Sequence, residues 1–81
     1  MFHGKRLMNH VISRADVTNT DFCGALCFME PTCMSYNLMT KNQNGKYKCE
    51  LNNATYTENK RDMEENPSYV YLGAKVKRTS K

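Results

Sequence analysis

Four cysteines, Cys23, Cys27, Cys33 and Cys49, carry the clearest chemistry in this 81-residue chain. Thiols can be joined as disulfides, can bind zinc as thiolates, or can do redox work. The spacing C-x3-C-x5-C-x15-C lacks the paired short knuckles of structural zinc sites. His3 and His10 could donate nitrogen, but neither stands at a metal-ligand spacing from the cysteines. With no C-x-x-C, redox chemistry has no motif. Disulfides are the main reading, and four cysteines allow three connectivities; a reduced protein with buried thiols is the alternative. No metal and no cofactor is expected.

Other reactive side chains point away from catalysis. Ser13, Ser35, Ser68 and Ser80 have no local nucleophile motif. Glu64 and Glu65 are adjacent, so a helix would set them on different sides rather than as an acid/base pair. There is no Gly-rich phosphate loop and no nucleic-acid-binding motif. The expectation is a non-enzyme that does not bind nucleic acid. Asn53-Ala54-Thr55 is an N-glycosylation sequon, which makes Asn53 a candidate acceptor in a secreted protein.

The elements that must position these residues follow from periodicity. Thr18-Asn19-Thr20-Asp21 offers several helix caps, and Asp21 suits the positive end of the dipole. Phe22, Cys23, Leu26, Cys27 and Phe28 or Met29 then recur near i, i+3, i+4 and i+7, the pattern of an amphipathic helix of two to three turns. Gly24 weakens that helix but permits close approach to a sheet. Pro31 stops it, with Glu30 as its last possible member. Cys33 to Leu38 alternates as a strand, with Met34, Tyr36 and Leu38 on one face and Cys33, Ser35 and Asn37 on the other. Lys46 to Leu51 alternates again, with Tyr47, Cys49 and Leu51 together. Between them Asn42-Gln43-Asn44-Gly45 contains Asn-Gly, the strongest short hairpin signal.

The remainder is less patterned. Leu7-Met8 and Val11-Ile12 read as short strands around a bend at Asn9-His10. Asn52 to Asn66 is polar and reads as a long loop, in which Asp62-Met63-Glu64-Glu65 could make one helical turn. Ser68 to Leu72 reads as a strand, extended by Lys75-Val76-Lys77 beyond a turn or bulge at Gly73, before a frayed tail over 77–81. The chain is expected to be one domain over 1–81 with its core over 2–76. No apolar run approaches the ~20 residues of a membrane span, so no membrane insertion is expected. Met1-Phe2-His3-Gly4-Lys5 lacks the apolar stretch of a signal peptide. A secreted origin would make the chain an excised domain or mature segment.

Cysteine placement narrows the connectivity. Cys23 and Cys27 are four apart and share one helical face, which Phe22 and Leu26 flank and which is therefore expected to be buried. Cys33 lies just past Pro31, near enough to fold back on Cys27, while Cys49 sits mid-strand beyond the hairpin and suits Cys23. The favoured pairing is Cys23–Cys49 with Cys27–Cys33. A Cys23–Cys27 bridge would lie near the far limit of disulfide geometry. At this size a domain buries only about 60% of its unfolded surface, so such cross-links matter to stability.

The run Cys23-x3-Cys27-x5-Cys33-Met34-Ser35-Tyr36-Asn37, a hairpin, and Cys49-Glu50-Leu51 resembles the PAN/apple domain family. The "C-x-S-Y-N" strand and the "C-E-L" that follows are its most specific parts; the resemblance spans about Phe2 to Leu72, with its core in Asp21–Asn53. It implies an α+β fold, a curved antiparallel sheet of about five strands packed on one α-helix, with disulfides tying helix to central strands in the same pairing. The full apple pattern adds a disulfide between the domain's two ends. No cysteines stand there in this chain, which is similar to the two-disulfide form of the N-terminal domains of plasminogen and hepatocyte growth factor.

The resemblance implies a binding and adhesion module, making protein–protein or protein–carbohydrate contacts in a secreted or cell-surface protein. It names no ligand. The expected setting is extracellular, as a monomeric module of a larger protein. Three functions compete: a protein-binding adhesion module, a sulfated-glycan-binding module and a structural spacer. Tyr56 and Tyr69 are the aromatics expected to be exposed for a protein interface. For a glycan, Lys46 and Lys48 share a strand face, and Lys5, Arg6, Lys75, Lys77 and Arg78 cluster if the terminal strands pair as the family fold implies. With a net charge of +4 these could hold a sulfated glycan by ion pairing; the alternative is a solvated surface offset by Asp62, Glu64 and Glu65.

Overall fold

The strands Phe2–Leu7 (β1) and Val11–Val17 (β2) precede the helix Asp21–Met29 (α1), and Ser35–Met39 (β3), Tyr47–Asn52 (β4) and Met63–Gly73 (β5) follow it. The computed structural model describes residues 1–74. All strand pairings are antiparallel, in one five-stranded sheet of order β1-β5-β3-β4-β2. The chain is thus a small disulfide-linked α+β fold. The expected extension over Lys75-Val76-Lys77 and the frayed tail over 77–81 lie outside the described residues.

Local sequence accounts for the ends of most elements. Asn44 and Gly45 form the hairpin turn with φ of 57° and 78°, the paired positive values of a two-residue type I′ turn, closed by Gln43 and Lys46. Asn19 Oδ1 accepts the Asp21 N–H at 2.9 Å at the start of α1, and the extended Glu30 ends the helix before Pro31.

Two expectations fail beyond Asn52. Met63-Glu64-Glu65 is not a helical turn but the start of β5, paired with Leu7, Arg6 and Lys5 of β1. Helical structure in this stretch is confined to 3-10 turns at Tyr56–Glu58 and Lys60–Asp62. β5 also begins well before Ser68. Asn66-Pro67 sits where the β1 register jumps from His3↔Val70 to Lys5↔Glu65, a bulge where a residue without an N–H is tolerated. Asp62 anchors the β1–β2 turn, in which Asn9 has φ of 72°. Its main-chain oxygen accepts the Met8 N–H at 2.8 Å, and its carboxylate meets Asn9 Nδ2 at 3.0 Å and His10 Nε2 at 2.7 Å.

The register gives the sheet two different faces. Tyr36, Leu38, Cys49, Leu51 and Val17 share the face that α1 covers. The buried core there is Val17, Leu51 and the four half-cystines, with Leu26, Tyr36, Leu38, Tyr47 and Ala74 packed around it. Sulfur therefore fills the centre of this layer, and the bridges are core as well as cross-link.

α1 is rotated differently from the expectation based on Phe22. Cys23 and Cys27 are buried, but Phe22 is 51% exposed. Bridges to Cys49 and Cys33 fix the helix about its axis. At 100° per residue, Phe22 then swings out toward solvent.

Gly24 makes the close approach possible. A β-carbon there would stand 2.9 Å from Tyr36 Oη and 3.4 Å from its Cζ. Alanine would otherwise strengthen the helix by about 1 kcal/mol. Gly24→Ala is expected to give no net gain, or to destabilise, in the native background and to stabilise in a Tyr36→Phe background. Urea unfolding of the four-member cycle checks this; an equal gain in both backgrounds would mean the helix has slack.

Candidate functional site

On the face opposite α1, the register aligns Ser35, Asn37 and Glu50 with Asn52, Tyr69 and Tyr71. All six are buried. Burying polar groups is costly unless their hydrogen bonds are met. Ser35 Oγ donates to the Ala54 carbonyl at 2.6 Å and accepts from Asn52 Nδ2 at 3.2 Å. Asn52 Oδ1 is left without a partner among the described residues, and β1 serves Asn37 and Glu50. Asn37 accepts the Leu7 N–H on Oδ1 at 2.9 Å and donates Nδ2 to the Leu7 carbonyl at 2.9 Å. Its carboxamide pairs with Leu7 as a neighbouring strand's peptide would. Nδ2 also donates to Glu50 Oε1 at 3.1 Å.

Glu50 receives two cations. Arg6 donates Nε to Oε1 at 2.9 Å and Nη2 to Oε2, and Arg14 donates Nε to Oε2 at 3.2 Å. The Arg6 guanidinium lies 4.5 Å from the centre of the Tyr69 ring, a cation–π contact. Burial pushes the Glu50 carboxyl up, but the hydrogen bonds and charge of Arg6, Asn37 and Arg14 outweigh it and hold it below the usual carboxylate range. The Glu50 bond correspondingly raises Arg6, against its desolvation. Burial also raises the Tyr69 hydroxyl, with the Glu50 charge adding to it.

A carboxyl lowered on folding stabilises the fold above its unfolded value, about 4.3 for Glu, and loses that contribution as pH falls through the folded value. The stability gap between the native protein and Glu50→Gln is therefore expected to close as pH drops through the acid range. Denaturant titrations from neutral to acid pH check it, and a gap that widened would overturn the assignment.

The structure joins Cys23 to Cys49 and Cys27 to Cys33, with Cα separations of 5.5 and 5.3 Å. Among the described residues no group of three His, Cys, Asp or Glu could hold a metal; His10 faces Asp62 and His3 lies opposite Val70. No helix there is long and apolar enough to cross a membrane.

Several of the basic residues are paired with carboxylates. Lys5 pairs with Glu65 at 2.7 Å and Arg6 with Glu50, both from the β1 edge. Lys46 and Lys48 line a hollow with Asp16, Gln43 and Asn44, and Lys48 also shares a hollow with Arg6 and Arg14. Lys75, Lys77 and Arg78 lie outside the described residues. Asn53 is exposed just after β4, with its N–H held by the His10 carbonyl at 3.0 Å.

Of the two aromatics expected at the surface, Tyr69 is buried under Arg6. Tyr56 is half-buried, edge-on to Phe2 and Tyr71 with centroids 4.6 and 5.8 Å apart. Besides Met1, Phe2 and Ile12, the exposed large apolar residues gather at α1: Phe22, Phe28 and Met29 are 51%, 61% and 75% exposed, and Met34 after it 50%. Helical spacing groups Phe22, Ala25 and Met29 on one outward stripe, with Phe28 beside it. Periodicity hides this stripe, because both sides of α1 are apolar and the cysteines mark only their own side.

No curated protein matches the chain. The PAN domain model matches residues 1–75, and the fold supplies the one helix, the five-stranded sheet and the two disulfides of that family's small form. The chain belongs to the PAN domain family, whose members are protein- or carbohydrate-binding modules of extracellular proteins.

Proposed function

We propose that the chain is an extracellular module, monomeric in dilute solution, that binds a protein partner through the outward face of α1 within a larger secreted or cell-surface protein. The observation that carries this is the exposure of Phe22 and Met29 on one stripe of α1, of Phe28 next to that stripe, and of Met34 after the helix. A surface helix normally turns charge to water. Contiguous exposed apolar residues rimmed by polar ones mark contact sites, and aromatic and Met side chains are enriched in interface cores. The disulfides support an extracellular setting, and exposed Asn53 suits an N-glycan; a mobility shift on glycosidase treatment of the secreted protein tests that modification.

The binding test is paired capture from the source's extracellular fraction on the immobilised native domain and on Phe22→Ser/Met29→Ser. Both substituted side chains are exposed, so the fold should survive, as circular dichroism would show. A species held by the native domain and lost by the variant supports the reading. Equal retention by both, or none by either, refutes it.

Sulfated-glycan binding is a second proposal. It rests on the net charge and on Arg6, Arg14 and Lys48 lining one hollow of about 250 Å³ with Asp16 and Glu50. Elution from a heparin column at or below physiological ionic strength would sink it.

A further inference from the structure

β2 is an edge of the sheet, paired with β4 on its inner side. An edge strand leaves alternate N–H and C=O groups on its outer side open to another strand. The usable length is short, because the register with β4 breaks between Val11 and Ser13 and the strand ends at Val17. That leaves Ser13–Val17, about 17 Å of strand.

Within this stretch the charges are arranged in a self-complementary way. Arg14 and Asp16 lie two apart, so both side chains project from the same face, flanking Ala15. Both are exposed. Arg14 is 68% exposed even with its Nε on Glu50, and Asp16 lies across from Lys48 on β4. Laid antiparallel across a two-fold axis through Ala15, two copies set Arg14 of each opposite Asp16 of the other. Ser13 then faces Val17, and Ala15 faces itself with little bulk between the backbones.

The registers centred one residue to either side lose this match. Centring the axis on Arg14 sets arginine against arginine, and centring it on Asp16 sets aspartate against aspartate. A parallel in-register pair does both. Like charges directly opposite destabilise a strand pair, and opposite charges support it.

We propose that β2 is a self-association edge, through which a second copy of this chain extends the sheet antiparallel about Ala15 to ten strands. The seam is far smaller than the ~800 Å² per partner of a stable complex, so the pairing is weak for isolated domains. It becomes effective where copies are tethered side by side.

The test uses sedimentation equilibrium of the 81-residue chain at rising concentration, with two charge variants. Asp16→Arg and Arg14→Asp should each weaken self-association by about tenfold or more. Mixed together they should form a heterodimer, since every cross-strand pair is then opposite in sign. Amide chemical shifts of the native protein followed on dilution give an independent reading that needs no variant, and they should move over Ser13–Val17. A native chain monomeric up to millimolar concentration overturns the proposal. So does a dimer indifferent to both substitutions, or one whose shifts lie on α1 instead.

Discussion

Replacing Cys23 and Cys49 together by alanine is expected to leave the domain largely unfolded at 37 °C. The bridge closes a span of 26 residues, and by the chain-entropy model that constraint contributes about 3.5 kcal/mol. The same substitution deletes two of the six residues that make the buried core under α1, adding the cost of a cavity. A chain of this size has a total stability of about 5 kcal/mol. Removing Cys27 and Cys33 opens a span of only 6 residues, worth about 2.2 kcal/mol, and should leave a folded fraction. Thermal unfolding followed by circular dichroism separates the two variants. If they melted together, loop length would not be what matters.

The second large effect is expected at Asn37. Asn37→Ala strips the Leu7 N–H and carbonyl of their partners at once and takes a donor from Glu50. A buried group left unsatisfied costs about 1–3 kcal/mol, so the sum is about 3–5 kcal/mol. Asn37→Asp separates the carboxamide's two roles. It keeps an acceptor for the Leu7 N–H, but loses the donors and sets a second carboxylate beside Glu50. It should be no better than alanine at neutral pH and should recover some stability as acid protonates the new carboxyl. Chemical denaturation of both variants at neutral and acid pH checks this. A mild Asn37→Ala would mean that water replaces the carboxamide, and that β1 does not depend on it.

These two sites differ in how far the sequence exposes them. Cysteine spacing, the Pro31 stop and the Asn44-Gly45 turn lead directly to the helix and hairpin that the bridges join. Asn37 and Glu50 are visible as the last residue of "S-Y-N" and the middle one of "C-E-L", yet alternation only assigns each to a strand face and says nothing of its burial. Their burial depends on β1 folding across them, a contact thirty residues away for Asn37 that no local pattern encodes.

Register is equally hidden. Continued without interruption, the Gln43–Lys46 pairing would set Asn37 against Asn52, whereas its observed partner is Glu50. The slip is by an even number, so each side chain keeps its face and the alternation stays silent about it. The start of β5 escapes a sequence reading because Met63-Glu64-Glu65 has no strand pattern of its own and is a strand through its pairing with β1.

The adjacency of β1 and β5 has a mechanical consequence. Phe2 lies opposite Tyr71, so chain segments leading away from the two ends of the sheet depart from neighbouring points. A module attached this way adds almost nothing to the contour of a longer polypeptide. A pull along that polypeptide loads the end of a single ladder, whose hydrogen bonds break in sequence rather than in shear, so the first yielding should need little force. Extension would then be arrested: the 26-residue span between Cys23 and Cys49 withholds roughly 90 Å of chain until the bridge is reduced. Set within a longer polypeptide, such a domain would act as a soft link with a fixed stop.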